Sequence, residues 1–296
     1  MSIPKEYFKA GAITKAVKNW IKGRVTTGTG YLEICEDVEK EIIARGGKPA
    51  FPCAIGVNDV TAHYAPQPGE ERRVVEKDVV KVDFGTHVDG YIVDTSVTFT
   101  DNAEYETLLE STERALNAAI EVARHDPRVG EIGRAIGSEA SKHGFKTISN
   151  LSGHTLDRYV VHAGKSIPNL YMPNLPTLKK NEVFAVEPFL TLGNAAGYVV
   201  DAPQQTIFSL AARRRLGNTE LDEAVQMIWD LRRTLPFTPR WFLENYTPEK
   251  LQAVLRELVK SKVVRSYSTL VEASGKPVAQ FEHTAALDDG GLIVLT

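Results

Sequence analysis

Apolar residues recur at helical spacing in four long segments, and shorter apolar runs lie between them. The helical pattern predicts four helices, at residues 5–22, 30–45, 104–125 and 130–143. Gly46 and Gly144 follow the second and fourth of these segments, as is typical of a helix end. Extended segments are predicted at residues 49–99 and again from about Thr147. The order helix, helix, strands therefore occurs twice, which favours a duplicated α+β half-domain.

Between Phe208 and Ser266 the helical pattern returns in shorter pieces. Two of them begin with threonine followed by proline, at Thr238-Pro239 and Thr247-Pro248, which is typical of an N-cap and a first helical position. The apolar stripes of the first and third predicted helices are Leu221, Val225, Ile228, Leu231 and Leu235, then Leu251, Val254, Leu255 and Leu258. We therefore expect a helical insertion at residues 208–266, within a catalytic domain formed by residues 1–207 and 267–296.

The composition is typical of a globular protein with a sizeable core, because 43% of the 296 residues are hydrophobic and 25% are charged. The net charge of -3 gives no reason to expect specific nucleic-acid binding. Two cysteines, Cys35 and Cys53, do not make a disulfide framework, which is typical of a reducing compartment. The sequence shows no apolar leader and no 18-residue apolar run, so we expect a cytoplasmic protein that does not cross a membrane.

Candidate chemistry begins in residues 78–94, where two apolar runs each carry an aspartate. Asp83 lies near the end of the first predicted strand and Asp94 ends the second, with Asp89-Gly90 in the turn between them. Two carboxylates on neighbouring apolar strands repel each other and lose hydration, so they need a cation to stay charged. Hard divalent ions with oxygen ligands are the usual solution. The alternative is a surface hairpin whose aspartates cap turns.

Three further segments carry residues of metal-ligand type. His154 and His162 lie eight positions apart, and Glu187 and Glu282 each end an apolar strand run. A buried glutamate without a partner is costly, so such positions favour a ligand role. Each residue alone also fits a simpler role, as a core histidine or a strand-end glutamate facing solvent. Two aspartates, two glutamates and one histidine together indicate a two-metal hydrolase.

These segments resemble, in order and spacing, the motifs of the type II methionine aminopeptidases, which have the creatinase-like pita-bread fold. The similarity covers residues 78–94, Gly153-His154 with its continuation to Lys165, Val186-Glu187-Pro188 and residues 279–284. The insertion corresponds to the segment that separates type II from type I enzymes, and the chain resembles the archaeal members. The resemblance implies an α+β fold of two duplicated halves related by a pseudo-twofold axis.

The resemblance implies a metal-binding role for five residues. Two divalent ions of cobalt, manganese, iron or zinc are expected, and the identity of the native metal stays open. Asp94 and Glu282 would bridge the two ions, and Asp83 would chelate one of them. His154 and Glu187 would bind the other ion.

The resemblance also implies residues that act on the substrate. His63 and His162 would lie beside the metals and contact the substrate, and Glu187 would carry a proton to the leaving amine. These three are the expected catalytic residues. The methionine pocket would be lined by Phe51, His63, Val161, His162 and Tyr267.

The function implied by the resemblance is removal of the initiator methionine from nascent polypeptides when the second residue is small. A monomer is expected, and association with the ribosome stays open. One alternative is a prolidase or aminopeptidase P of the same fold, which carries a separate N-terminal domain. Only 82 residues precede Asp83, which disfavours that alternative. The other alternative is a scaffold protein that has lost its metals. The presence of all five expected ligands disfavours it.

Overall fold

The computed structural model describes residues 3–296. Within this range the four helices predicted for the two halves are present, and each bound lies within one residue of the prediction. Asn102 caps α3 by accepting a hydrogen bond from the backbone N–H of Glu104, and Thr247 caps α6 in the same way from Lys250. The helices are α1 Lys5–Ile21, α2 Tyr31–Ala44, α3 Ala103–His125, α4 Val129–Lys142, α5 Thr219–Arg232 and α6 Pro248–Lys260.

Fifteen short or medium strands lie between and after these helices in the described range. They are β1 Lys48–Pro49, β2 Ala54–Val57, β3 Val60–Ala62, β4 Val80–Val88, β5 Tyr91–Phe99, β6 Phe145–Thr147, β7 Ser152–Leu156, β8 Ser166–Pro168, β9 Val183–Val186, β10 Phe189–Leu192, β11 Val199–Leu210, β12 Val264–Glu272, β13 Val278–Gln280, β14 His283–Asp288 and β15 Gly291–Val294.

The first half is built on the hairpin of β4 and β5. β4 pairs with β1, β2 and β5, and α1 and α2 pack near this sheet. One buried cluster includes Val17 of α1, Val38 and Ile42 of α2, and Phe84 of β4. The hairpin turn has Asp89 and its neighbouring glycine at positive φ, as a tight two-residue turn requires.

The second half repeats this arrangement with different strands. Its largest sheet has the order β15-β14-β9-β7-β8, and β10 pairs separately with β13 and β6. α3 and α4 pack against each other and on these strands, and their buried cluster includes Leu116, Ile132, Ile136 and Phe184. The expected α+β architecture, with helix, helix, strands occurring twice, is therefore confirmed.

A fourth sheet, of order β11-β12-β3, carries α5 and α6. These helices share a buried cluster with the sheet that includes Phe208, Val225, Phe237, Leu255 and Leu258. No helix among residues 3–296 combines the length and apolar character needed to span a bilayer.

Three local expectations were wrong. β4 continues to Val88 and β5 to Phe99, so Asp83 and Asp94 both lie inside strands and not at strand ends. The helix predicted at Thr238-Pro239 is a single 3₁₀ turn, Pro239–Phe242. Leu231 is 61% exposed, because α5 ends at Arg232 and the chain reverses at the next residue with φ 56.

Candidate active site

Two strands of the first half supply two of the candidate ligands. In the register of β4 and β5, Asp83 lies opposite Ser96 and Asp94 lies opposite Gly85, so the two aspartates are diagonal neighbours. Ser96, the partner of Asp83, lies two positions from Asp94. Side chains two positions apart point to the same face of a sheet, so both carboxylates lie on one face of the hairpin. The carboxylates therefore meet although they are eleven residues apart.

The second half brings its ligands to this face through hydrogen bonds to β5. The Asp94 N–H donates to Thr284 Oγ1 at 2.7 Å, and the Thr95 hydroxyl donates to the Glu282 carbonyl at 2.9 Å. Gln280 Nε2 donates to Asp83 Oδ2 at 3.3 Å and to Glu282 Oε2 at 3.4 Å. Glu282 and Asp83 thus share one amide donor although they come from different halves of the chain.

His154 lies on β7, which approaches β9 very closely. A Cβ on Gly153 would collide with the Ala185 carbonyl, so only glycine lets the strands pack at this distance. His154 Nε2 lies 3.5 Å from Glu187 Oε1 and 3.8 Å from Asp94 Oδ2. Ligand atoms of Asp94, His154 and Glu282 all lie within 4.8 Å of one another. Three of the five predicted ligands therefore form one close group, Glu187 contacts that group through His154, and Asp83 shares the Gln280 amide with Glu282.

Burial governs the protonation of this cluster. Burial raises the pKa of Asp83 to about 7. It also raises the pKa of Asp94, Glu187 and Glu282 well above the usual carboxyl range, and the charges of the neighbouring carboxylates raise it further. Burial, and then the charge of a neighbouring histidine, lowers the pKa of His154 to about 3. The contacts of His154 are therefore not ion pairs, because its imidazole is neutral at neutral pH.

These residues fit divalent metal ions. Within residues 3–296, four of their buried atoms have no hydrogen-bond partner: Asp83 Oδ1, Asp94 Oδ1, Glu282 Oε1 and His154 Nδ1. Orphaned buried carboxylate oxygens are costly, and a cation at their centre removes both the mutual repulsion and the missing partners. Carboxylates with one neutral imidazole suit manganese, iron, cobalt or zinc.

A cavity of about 390 Å³ opens onto this cluster. Asp83, Asp94, His154 and Glu187 form part of its wall. The remaining predicted site residues also line it: Phe51, His63, Val161, His162 and Tyr267. The structure thus places every substrate-facing candidate in one cavity with four of the five ligands.

The two other cavity histidines are held in the neutral form. Burial lowers the pKa of His63 to about 4, and burial followed by the charge of Arg265 lowers the pKa of His162. The His162 ring packs edge-on against His154 with centroids 4.3 Å apart, and the His63 ring packs similarly on Tyr267 at 5.7 Å. His63 also has φ 65, an uncommon backbone conformation for a non-glycine residue. Neutral imidazoles can both donate and accept hydrogen bonds.

Sequence reasoning missed several residues of this site. Gln280 and Thr284 hold three candidate ligands in place, Asp83, Glu282 and Asp94, and their only signal was their position beside Glu282 in an apolar segment. Ile207 and Pro236 also line the cavity. Nothing local marks these two residues. Ile207 reaches the cavity from β11 and Pro236 from the segment after α5, so only the folded chain brings them together.

A larger cavity, of about 760 Å³, lies between α6, the 3₁₀ turn and β11. Its wall combines proline and leucine with glutamine, arginine and lysine, and it has Glu249 as its one carboxylate and no histidine or cysteine. It therefore lacks the donor set of a metal centre, and the smaller cavity is the candidate active site.

Comparison with known proteins agrees with this geometry. Residues 5–213 match the model of metallopeptidase family M24. The chain is 41% identical over 290 residues to a methionine aminopeptidase of Thermococcus onnurineus, with 97% of each chain covered.

Two solved structures share the pita-bread fold. A thermophilic Arx1 has a TM-score of 0.83 at 16% identity, covering 98% of this chain and 89% of that one. A methionine aminopeptidase from Thermotoga maritima has a TM-score of 0.71 at 20% identity, covering 100% of this chain and 99% of that one. At these identities the likeness concerns the fold alone. The family match and the 41% identity along almost the whole chain go further: the chain belongs to metallopeptidase family M24, among the methionine aminopeptidases.

Proposed function

We propose that this protein releases N-terminal methionine from polypeptides whose second residue is small, with two divalent metal ions held by Asp83, Asp94, His154, Glu187 and Glu282. The observation that carries the proposal is the buried carboxylate cluster at the wall of an apolar cavity. Such a cluster is unstable without cations and lies where a short side chain would enter. Ligand atoms of Asp94, His154 and Glu282 lie within 4.8 Å of one another, so these three residues would hold metal together.

Two divalent ions bound there would supply Lewis acidity and lower the pKa of a water molecule toward neutrality. Glu187 lies against His154 on the cavity wall, and its raised pKa suits a group that takes up a proton and delivers it to the leaving amine. His162 packs directly on His154, so an N–H of its neutral ring is placed to donate to the carbonyl oxygen as negative charge develops. His63, held against Tyr267, would hold the peptide from the opposite side.

The proposed preference for methionine followed by a small residue depends on the lining and the packing of the cavity. Phe51, Val161 and Tyr267 give a mainly apolar lining, which suits an unbranched thioether. With the scissile carbonyl at the metal ligands, the second residue falls beside His63 and His162. Close-packed walls yield little, so a bulky second side chain is excluded.

We also propose that residues 208–266 act as a helical subdomain that shapes the entrance to this cavity. α5 and α6 share a core of their own with β11 and β12. Pro236, between α5 and the 3₁₀ turn, reaches the cavity wall.

The test is a series of Met-Xaa-Ser peptides assayed at one manganese concentration. We expect efficient release of methionine when Xaa is Gly, Ala, Ser, Thr, Pro, Val or Cys, and poor release when it is Lys or Phe. Metal analysis should find two ions for each chain. Glu282→Ala is the inactive control, because it removes a proposed bridging ligand while α1 to α6 stay intact. Efficient cleavage of Met-Lys or Met-Phe peptides, or faster release of leucine or proline than of methionine, would contradict the proposal.

A further inference from the structure

Arg232, the last residue of α5, makes an unusual set of contacts. Its side chain is buried, and Nη2 lies within hydrogen-bond distance of three backbone carbonyls: Pro49 at 2.9 Å, Ala50 at 3.0 Å and Pro236 at 2.9 Å. Nη2 has two N–H groups, so one of them is shared between two carbonyls. The guanidinium lies over the Trp241 ring, 4.7 Å from its centroid. Among residues 3–296 it forms no ion pair with a carboxylate, and its Nε has no hydrogen-bond partner.

The three carbonyls belong to the two sides of the candidate active site. Ala50 precedes Phe51, whose ring lines the cavity, and Pro236 lines the cavity itself. The Ala50 N–H also donates to the Gly85 carbonyl of β4 at 2.8 Å, two residues from Asp83. The Phe51 ring occupies the space that a Cβ on Gly85 would need. The Phe51 side of the cavity is thus attached to β4, the strand that carries Asp83. Arg232 attaches the Pro236 side of the cavity to the Phe51 side.

Burying the charged side chain of Arg232 costs free energy, because the guanidinium loses its hydration. Burial lowers the pKa of Arg232 only to about 10, so it stays charged at neutral pH. Well-packed apolar residues of similar volume often stabilise a fold as well as or better than buried charges. Packing alone therefore does not account for a charged group here, whereas fixing three carbonyls at defined distances does.

We propose that Arg232 is a positioning residue that sets the width of the methionine pocket by holding the Phe51 wall and the Pro236 wall at a fixed separation. This inference rests on the proposed methionine specificity. Without the three hydrogen bonds, the segment around Ala50 and the segment around Pro236 can move apart. The pocket then accepts branched or larger side chains and holds methionine less well.

Arg240 provides a matched control. It comes from the same insertion, is also buried, and pairs with Glu39 of α2 at 2.6 Å. Its Nε donates to the Pro66 carbonyl at 3.1 Å, and its guanidinium lies 5.7 Å from the same Trp241 ring. Glu39 also accepts the Cys53 N–H at 3.0 Å, but Arg240 itself makes no hydrogen bond to Pro49, Ala50 or Pro236. Arg240→Met therefore tests attachment of the insertion while the contacts of Arg232 with the three carbonyls remain.

The experiment compares Arg232→Met, Arg232→Lys and Arg240→Met with the wild type in the metal-loaded enzyme. For each, kcat and KM are measured on Met-Ala-Ser, Leu-Ala-Ser and Phe-Ala-Ser peptides, with metal content and Tm. For Arg232→Met we expect KM for the methionine peptide to rise about tenfold with kcat changed less than about threefold, because ground-state binding is lost. Its preference for methionine over leucine should fall about tenfold, the scale of discrimination in an apolar pocket. Arg232→Lys should restore much of this preference, because an ammonium has three N–H donors for three carbonyls.

Arg240→Met should lower Tm at least as much but keep the wild-type preference. The inference is overturned if Arg232→Met keeps the wild-type preference, or if Arg240→Met loses it to the same degree at an equal loss of Tm. If Arg232→Met does not fold, Arg232→Gln takes its place, because its shorter side chain cannot reach all three carbonyls: a wild-type preference and KM in that variant overturns the inference. Failure of the proposed function is separate, because then the wild type itself would not prefer the methionine peptide.

Discussion

Metal should stabilise this protein more strongly as the pH rises from 5 to 7. The perturbation is removal of metal with a chelator and its return at a saturating concentration. Without metal, a carboxyl whose pKa is raised in the folded state contributes stability that is complete below its unfolded pKa and is lost as the pH rises through its folded pKa. For Asp83 this window runs from 3.8 to about 7.

The magnitude follows from that window. Raising the pKa of Asp83 from 3.8 to about 7 corresponds, at about 1.4 kcal/mol for each pH unit, to roughly 4 kcal/mol. Asp83 is partly open to the cavity, where water screens its charge, so this value is an upper bound. Metal binding displaces protons from the carboxyl groups. The affinity of the protein for metal therefore rises about tenfold per pH unit for each proton released. Between pH 5 and 7 one proton gives about 2.7 kcal/mol more stabilisation, or roughly 5 °C in Tm.

Buried histidines also make stability depend on pH, in the metal-loaded and the metal-free protein alike. Their effect has the opposite sign to that of Asp83. Burial lowers the pKa of His63 to about 4 and that of His87 and His283 to about 3. Stability from such groups is present above the unfolded value of 6.5 and is lost as the pH falls toward the folded pKa. They are not proposed ligands, so their effect cancels in the difference between the metal-loaded and metal-free melting curves. That difference is therefore the quantity to measure.

The assay is thermal unfolding at pH 5, 6 and 7, with chelator and with manganese. We expect the gain in Tm from manganese to increase at each step, and Asp83→Asn to reduce the increase, since an amide has no proton to release. A gain in Tm that is equal at pH 5 and pH 7, or an unchanged pH dependence in Asp83→Asn, would refute the reasoning.

Two further predictions separate the substrate-facing groups from the rest of the chain. His63→Ala and His162→Ala should keep both metal ions but lower kcat/KM about a hundredfold or more, the scale of a lost acid-base or oxyanion group; loss of one metal equivalent would identify a ligand instead. Combined alanine replacement of Glu220, Asp222 and Glu223 should change kcat/KM less than about tenfold, because surface changes distant from the reacting atoms act mainly on stability. A far larger loss at full metal content would place the start of α5 in the active site.

The sequence predicted the helices well and marked the candidate ligands, for a local reason. Asp83, Asp94, Glu187 and Glu282 lie in apolar segments where an unpaired charge is costly, so the chain itself marks them as unusual. Helix ends are also marked locally, for example by Gly144.

Features that depend on the packing of distant segments could not be predicted in this way. The pocket wall at Pro236 and the contacts of Arg232 arise only when the insertion folds onto the first half. The helical stripe failed at Leu231, because an apolar residue at helical spacing was expected to face the core and instead faces solvent. Periodicity shows which face of a helix is apolar, but it does not show where the chain reverses.

Because both halves supply candidate metal ligands, metal binding should depend on the folding kinetics. Asp83 and Glu282 are 199 residues apart in the chain, and Gln280 joins them only after β13 has docked beside β5. Contacts between such distant positions carry a large loop-closure entropy and form slowly. A chain that has folded only its first half presents two aspartates, which is too few ligands to retain an ion. Stable metal uptake during refolding therefore reports the docking of the two halves, and it should follow the appearance of helical structure instead of accompanying it.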